Sequence, residues 1–146
     1  MSFQLVRGIF EARVMQDLKT AGVAPNKIFF DGIGETPGKA DEVYARVSLS
    51  FANTVQDTVS CEGVESLRGS ISVNIYTPKN KGSKPGEDIA CEVMKGWQEI
   101  NKWRPQPGDS VLSAAIRNIE GPITIAPDQR PHTVHNVNCM WLCRVP

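Results

Sequence analysis

The sequence predicts an α+β fold, a single domain in which a mostly antiparallel β-sheet is covered by two amphipathic helices. Several segments carry apolar residues at every second position, as strands with one wet face do, and two segments carry them every three or four positions, as amphipathic helices do. The chain of 146 residues is long enough for one core, and no linker is long enough to divide it. We therefore assign residues 1–146 to one domain.

Each predicted helix carries one apolar stripe, which predicts that it packs on the sheet. The first helix spans residues 3–20 and ends before Gly22 and Pro25. Its stripe consists of Phe3, Val6, Phe10, Val14 and Leu18. The second helix begins near Pro85, where the acidic Glu87 and Asp88 suit the positive end of the helix dipole. Its stripe consists of Ile89, Ala90, Val93, Met94, Trp97 and Ile100.

The predicted strands occupy residues 28–30, 43–51, 67–77, 111–119, 123–125 and 133–145. In the second of these, Val47 and Leu49 face the core, whereas Tyr44 and Arg46 face water. Residues 54–63 form either a further strand or a long hairpin. The pair Gly121-Pro122 is expected to break the chain between two short strands, because proline cannot donate to a sheet ladder. Antiparallel pairing of the longer strands is expected.

The charges cancel over the whole chain but are unevenly distributed along it. There are 16 basic and 16 acidic residues, yet residues 31–66 carry a net charge of −5 and residues 67–104 a net charge of +3. Residues 31–42 form a glycine-rich acidic loop, and residues 78–86 (PKNKGSKPG) form a mobile basic loop. The zero net charge argues against a polybasic binder of nucleic acid.

Membrane and secreted classes are not favoured by the sequence. No apolar run approaches the ~20 residues that a transmembrane helix needs, and the first ten residues do not resemble a signal peptide. A cytoplasmic location is therefore expected, with reduced cysteines. All four are predicted to be buried apolar residues, namely Cys61, Cys91, Cys139 and Cys143.

Candidate sites for cofactors and metals fail on spacing. Gly34 and Gly38 are one residue too close for a phosphate-binding loop, and Ala40 replaces the hydroxyl that would bind the metal of a nucleotide. The ligand types at His132, His135, Cys139 and Cys143 lie on a predicted strand, where positions four apart are separated by roughly 13 Å. Zinc requires ligands within ~2.3 Å of one point. We predict no cofactor and no metal.

A catalytic site is not predicted either. Cys91 lies in the first turns of the second helix, where a thiol can be activated, but acidic residues flank it and disfavour the thiolate. No motif of a serine hydrolase or zinc protease occurs. The absence of a catalytic signature favours an assembly or binding protein over an enzyme.

Four segments carry a resemblance to a known family, namely IFEARV, EVYARVSLSF, RGSISVNIYTPKNKGSKPGEDIACEV and HTVHNVNCMWLCRV. In this order they resemble the tail-terminator proteins of long-tailed (siphovirus-like) bacteriophages over nearly the whole chain. The resemblance implies a ring, expected to be a hexamer, on the head-proximal end of the tail tube. It further implies that the ring stops tube growth and offers a docking surface to the head and neck.

The partners implied by this resemblance are further copies of the chain, the major tail tube protein and a head-neck connector protein, with non-specific passage of DNA through the lumen. We expect that lumen to be neutral or acidic, because each contact of Lys or Arg with a phosphate would hinder sliding of the DNA. The location implied is the virion tail, after assembly in the cytoplasm of the bacterial host. Another neck or head-completion protein is the nearest alternative. A small cytoplasmic enzyme that uses Cys91 or His135 is a more distant one, and it would need a concave pocket at those residues.

A closed ring needs two different, complementary surfaces on each subunit. We hypothesise that the acidic and the basic loop supply them. The residues concerned are Asp31, Glu35, Asp41, Glu42, Lys79, Lys81 and Lys84. The alternative is that both loops are only solvated surface, as most charge runs are.

Overall fold

The structure is a computed structural model that describes residues 3–31, 42–56, 65–79, 82–102, 104, 111, 113–125 and 132–145. Within these residues the chain forms two α-helices, a short 3-10 helix (Pro25–Lys27) and one five-stranded sheet. The helices are α1 (Phe3–Thr20) and α2 (Lys84–Ile100). The strands are β1 (Ile28–Phe29), β2 (Tyr44–Gln56), β3 (Glu65–Pro78), β4 (Ser113–Ile125) and β5 (His132–Val145). The predicted α+β class is confirmed.

The strands lie in the order β1-β2-β3-β5-β4. The two-residue strand β1 runs parallel to β2, and every other neighbouring pair is antiparallel, as predicted. The ladder between β2 and β3 runs from Tyr44↔Tyr76 to Gln56↔Glu65. Residues 54–56 therefore continue β2 in a hairpin ladder, while residues 57–64 lie outside the described part of the chain.

Both helices pack on one face of the sheet, and their apolar stripes form the core with the strand residues that face them. Phe10 of α1 and Trp141 of β5 lie at its centre, with ring centroids 5.1 Å apart. The predicted stripes are confirmed apart from two members: Met94 is only half-buried, and Phe3 is 50% exposed. Phe3 instead packs its ring edge-on against Phe51, with centroids 4.8 Å apart.

The predicted break at Gly121-Pro122 is wrong, because β4 continues through this pair. The strand absorbs the irregularity in two shifts of register, between Arg117 and Glu120 and between Glu120 and Ile123. Gly121 has a φ of 112°, and a Cβ there would lie 2.6 Å from the Asn136 carbonyl oxygen. Glycine thus permits a bulged strand where the sequence pattern indicated two strands.

The limits of the basic loop also differ from the prediction. Pro78 pairs with His132 as the last residue of β3, and Lys84 to Gly86 already belong to α2. Pro85 fits the first helical turn because the N–H that it lacks would have no partner there. In the described residues, neither helix combines the length and the apolar character needed to span a bilayer.

Candidate assembly surface

The face of the sheet opposite to the helices carries no helix among the described residues, and we call it the open face. Its side chains alternate with the core residues along each long strand, as the sequence predicted for β3 and β5. The members between the two ends of the sheet are Arg46, Ser48, Ser50, Arg68, Ser70, Ser72, Asn74, Ala115, Arg117, Glu120, Ile123, Asn136, Asn138, Met140, Leu142 and Arg144.

In the middle of the open face, hydrogen bonds between short polar side chains connect neighbouring strands. Asn136 Nδ2 donates to Asn74 Oδ1 at 2.7 Å and to Ser72 Oγ at 2.8 Å. Asn138 Nδ2 donates in turn to Asn136 Oδ1 at 2.9 Å. Cross-strand pairs of this kind fix side chains in one arrangement, because each group satisfies its neighbour. The middle of the open face is therefore an ordered surface of hydroxyl and amide groups.

The charged residues on the open face are mostly arginines. Arg46, Arg68, Arg117 and Arg144 are exposed there, against one acidic residue, Glu120, and none of the described members is a lysine. Arginine and methionine are enriched at protein interfaces, whereas lysine and glutamate are depleted. In its arginines and its methionine the open face thus resembles an interface, whereas its serines belong to a residue type that is depleted at interfaces.

Three of these arginines occupy neighbouring strands at one end of the sheet. Arg68 lies on β3 opposite Leu142, Arg117 lies on β4 opposite Met140, and Arg144 lies on β5. We call Arg68, Arg117 and Arg144 the arginine cluster. Among the residues that the structure describes, no ion pair is formed by Arg68 or Arg117.

A cavity of about 280 Å³ opens at the arginine cluster, and Arg68, Arg117, Asn118, Met140, Trp141 and Leu142 line it. Met140 is 52% exposed although it belongs to a strand with neighbours on both sides. Asn118, which has a positive φ of 52°, donates a hydrogen bond from Nδ2 to the Met140 sulfur at 3.2 Å. Two arginines and an exposed methionine thus border the same cavity.

The other end of the open face is formed by aromatic side chains that pack on one another. The rings of Tyr44 and Tyr76 stack with centroids 4.3 Å apart, and Val134 packs with them. The prediction that Tyr44 faces water is wrong, because its cross-strand partner is a second tyrosine that covers it. His132 meets Tyr44 edge-on, and its Nε2 lies 2.8 Å from the carbonyl oxygen of Glu42.

At each edge of the sheet, one polar side chain forms hydrogen bonds with the strand backbone. Next to β1, Asp31 accepts hydrogen bonds from the Leu49 backbone N–H at 2.8 Å and from Arg7 at 3.2 Å. On the outer side of β4, Asn101 accepts from the Ile116 N–H at 2.7 Å and donates to the Ile116 carbonyl at 3.0 Å. Such caps oppose strand addition at a sheet edge.

Of the seven residues proposed for assembly, four lie in the described part of the chain. Asp31 is engaged as above, Glu42 pairs with Lys27 at 2.8 Å, and Lys84 pairs with Asp88 at 3.1 Å. Lys79 is exposed just after β3. Glu42 and Lys79 flank the start of β2 and the end of β3, so the two loops meet the same end of the sheet. Glu35, Asp41 and Lys81 lie outside the described residues.

The residues of the enzyme alternative are not brought together. Cys91 is exposed on α2, contrary to the prediction, and borders a depression of about 360 Å³. His135 is fully buried against Gly86 on the core side, where its Nδ1 lies 3.2 Å from the Thr124 hydroxyl. Cys91 thus lies at a concave surface, as that alternative requires, whereas His135 is buried beneath the first turn of α2.

The remaining cysteines and histidines fill structural positions. Cys139 and Cys143 are buried as predicted, and burial raises the pKa of the Cys143 thiol to about 11 and that of Cys139 further. Cys61 lies outside the described residues. His132 and His135 point to opposite faces of β5, and the described residues include no group of three or more His, Cys, Asp or Glu side chains placed to hold a metal ion.

The fold has counterparts among solved structures. One solved chain, whose name states no function, aligns with 98% of this chain and 96% of its own length, with a TM-score of 0.60 and 22% sequence identity. A likeness at this identity shows a shared fold. No family model and no curated protein matches the sequence.

Sequence reasoning missed the arginine cluster and its cavity. The alternating pattern placed Arg68 and Arg144 on the outer side of their strands, so their exposure was available from the sequence. Their proximity to Arg117 depends on the order β3-β5-β4 and on the register of each pair. Strand order is set by long-range packing, and for that reason no local signal indicated the cluster.

Proposed function

We propose that this protein is a structural component of a bacteriophage virion, a tail terminator that forms a ring on the head-proximal end of the tail tube. In this role the ring stops addition of tube subunits and offers its other side to the head and neck. The proposal starts from the four sequence segments that resemble the tail-terminator family.

The observation that carries the proposal is the open face of the sheet. A subunit with helices on one side of its sheet leaves a large ordered surface on the other, and this one holds arginines, an exposed methionine and a network of amide and hydroxyl groups. The arginines and the methionine support a surface that meets other proteins. A subunit that assembles between a tube and a neck needs surfaces for several partners.

The direct test adds the purified protein to the growing tail tube protein of the same phage and measures tube lengths by electron microscopy. We expect shorter tubes, with added density at one end. An unchanged length distribution with bare tube ends would contradict termination. If the protein binds finished tails without changing tube length, the alternative of a neck or head-completion protein is favoured.

A charge variant tests the basic loop in the same assay. Replacing Lys79, Lys81 and Lys84 by glutamate reverses three charges in the basic loop. If the basic loop is an assembly surface, the variant fails to shorten tubes at low salt, where charge interactions are strongest. If the variant still shortens tubes at low salt, the basic loop is only solvated surface and takes no part in assembly. Circular dichroism of the variant checks that it is folded.

A further inference from the structure

The cavity at the arginine cluster is bordered by charged and apolar side chains on adjacent strands. Arg68 lies on β3 opposite Leu142 of β5, and Arg117 lies on β4 opposite Met140 of β5. The two arginines therefore flank β5, with Leu142 and Met140 between them, and all four residues line the cavity. We propose that this site binds an extended acidic segment of another protein, in which one apolar side chain lies between two carboxylates.

The spacing of the two arginines fits a ligand in the extended conformation. Two strand spacings and two residue positions separate the Cα atoms of Arg68 and Arg117, which is a diagonal of about 12 Å in a regular sheet. In an extended chain, side chains four positions apart point to the same side and are separated by about 13 Å. A segment of the pattern acid-x-apolar-x-acid thus brings one carboxylate to each arginine and its central side chain to Met140.

The charges at this site favour an acidic ligand. Arg68 and Arg117 are exposed, and neither forms an ion pair with any residue that the structure describes. Glu120 is the single acidic residue among the described members of the open face. Arginine clusters bind acidic motifs because each guanidinium group can donate two parallel hydrogen bonds to a carboxylate.

Met140 favours a protein segment over a nucleic acid. Its side chain is 52% exposed in the strand that lies between the two arginines. An apolar side chain of a protein ligand would remove this surface from water, which is favourable. Sequence-independent binding of nucleic acid depends instead on contacts between cations and phosphates, which an apolar group in the middle of the site does not strengthen.

A second copy of this chain is a poorer source of the segment. The pattern acid-x-apolar-x-acid occurs at residues 31–35 (DGIGE) and 88–92 (DIACE). Asp31 accepts hydrogen bonds from Arg7 and from the Leu49 N–H within its own subunit, and residues 88–92 are helical in α2. We therefore assign the segment to a different protein. In the assembly of the proposed function, on which this assignment rests, that protein belongs to the tube or the neck.

The test measures the binding of two synthetic peptides to the intact protein by fluorescence anisotropy at low salt. The same-side peptide, ESLSESLSESLSE, places its leucines midway between glutamates and on the same side of an extended chain. The opposite-side peptide, ELSSELSSELSSE, has the same composition but carries its leucines on the other side. We expect the same-side peptide to bind about fivefold more tightly, because only its leucines reach the cavity together with the glutamates.

Variants of the protein locate the binding site. Arg68→Glu/Arg117→Glu should weaken binding of the same-side peptide by about tenfold or more, because carboxylates then face carboxylates. Arg68→Gln/Arg117→Gln removes the charges without reversing them and should weaken binding less. Lys95→Glu/Lys102→Glu changes the net charge as much as the first variant, but at exposed positions of α2 and its end, and should bind like the wild type. Circular dichroism checks that each variant is folded.

Four results would overturn the proposal. Equal affinity for the two peptides would show that no apolar side chain enters the cavity. Equal losses in the arginine and the lysine variant would show a response to net charge alone. If duplex DNA binds more tightly than the same-side peptide and depends on Arg68 and Arg117, the ligand is a nucleic acid. If the wild type self-associates through these arginines and thereby excludes the peptide, the occupant is a second copy.

Peptide binding needs no tail protein, so its outcome is independent of the tube-length assay. If the wild type binds the same-side peptide as expected but leaves tubes unchanged, the acidic ligand stands and termination fails. If the wild type shortens tubes but binds neither peptide, termination stands and the acidic ligand fails.

Discussion

The carboxylate of Asp17 in α1 rests against Gly96 in α2, in the space that a side chain on residue 96 would occupy. Asp17 is buried, and Arg13 Nε lies 3.3 Å from its Oδ2. This contact joins α1 to α2, the two helices that pack on the core face of the sheet. We predict that Gly96→Ala lowers the free energy of unfolding by about 1–3 kcal/mol, because the added methyl group overlaps the carboxylate. Urea unfolding monitored by circular dichroism measures the change.

Gly8 provides the matched control for this substitution. It lies in α1, is exposed, and has no atom within 4 Å of the position of an added Cβ. Gly8→Ala should therefore raise the free energy of unfolding by about 0.5–1 kcal/mol through helix propensity alone. If both substitutions changed the free energy of unfolding equally, the contact with Asp17 would not restrict the side chain at position 96.

The burial of Asp17 predicts a pH dependence of stability. Burial, with a smaller contribution from Glu92, raises the pKa of this carboxyl from 3.8 to about 6, and Arg13 opposes the shift. The folded state then holds a proton that the unfolded state has lost between these two values, so this group's contribution to stability falls as pH rises through about 6. Asp17→Asn removes the titration. Its stability relative to the wild type should increase from pH 4 to pH 7.

Denaturant unfolding at several pH values measures this difference. The readout is the change of the mutant-minus-wild-type difference with pH, which cancels the titration of all other groups. A difference that stays constant over this range would place the pKa of Asp17 in the folded protein at its ordinary value. A difference that falls with pH would show that the pairing with Arg13 outweighs burial.

The hydrogen bonds of Asn101 to Ile116 predict a second stability effect, at the edge of the sheet. Asn101→Ala removes both bonds to the β4 backbone, and we expect a loss of about 1–2 kcal/mol in the free energy of unfolding. Asn101→Asp keeps an acceptor for the Ile116 N–H but sets a carboxylate oxygen against the Ile116 carbonyl at the C-terminal end of α2, so its loss should be at least as large. Gln98→Ala is the control, because Gln98 is exposed in the last turn of α2, just before Asn101. Thermal unfolding of the three variants, compared at one pH, ranks the effects.

The sequence predicted the helices and the core faces of β2, β3 and β5 well, because local periodicity determines which side chains are buried. Val47 and Leu49 are buried as expected from alternation, and so are Phe10 and Trp97. The predicted extent of β4 was wrong. Glycine and proline at residues 121 and 122 do not end the strand, because β4 continues through them with shifts of register typical of β-bulges.

The surface was harder to predict than the core. Tyr44 was assigned to water because the pattern of β2 says nothing about the residue that faces it on β3. The same holds for the arginine cluster, since Arg68 and Arg117 are 49 positions apart in sequence and belong to strands separated by β5. The charged loops were visible from composition alone, but the internal partners of Asp31 and Glu42 depended on the fold.

We predict that substitution of Met140 weakens assembly and leaves the stability of the subunit almost unchanged. Its side chain is 52% exposed, so Met140→Ser should change the free energy of unfolding by less than about 0.5 kcal/mol. The same substitution removes apolar lining from the cavity beside Arg68 and Arg117. If a partner's apolar side chain enters that cavity, binding of the same-side peptide should weaken severalfold. Fluorescence anisotropy and urea unfolding of the same sample separate the two quantities.

Ile123→Ser is the matched control for this variant. Ile123 is 50% exposed on the same open face, opposite Asn136, four positions along β5 from Met140 and therefore about 13 Å away. Loss of an exposed apolar side chain as such would weaken association equally in both variants. Loss of the cavity contact weakens it only in Met140→Ser. Because the two side chains share the face and the degree of exposure, a difference between them reports where on the open face the partner sits.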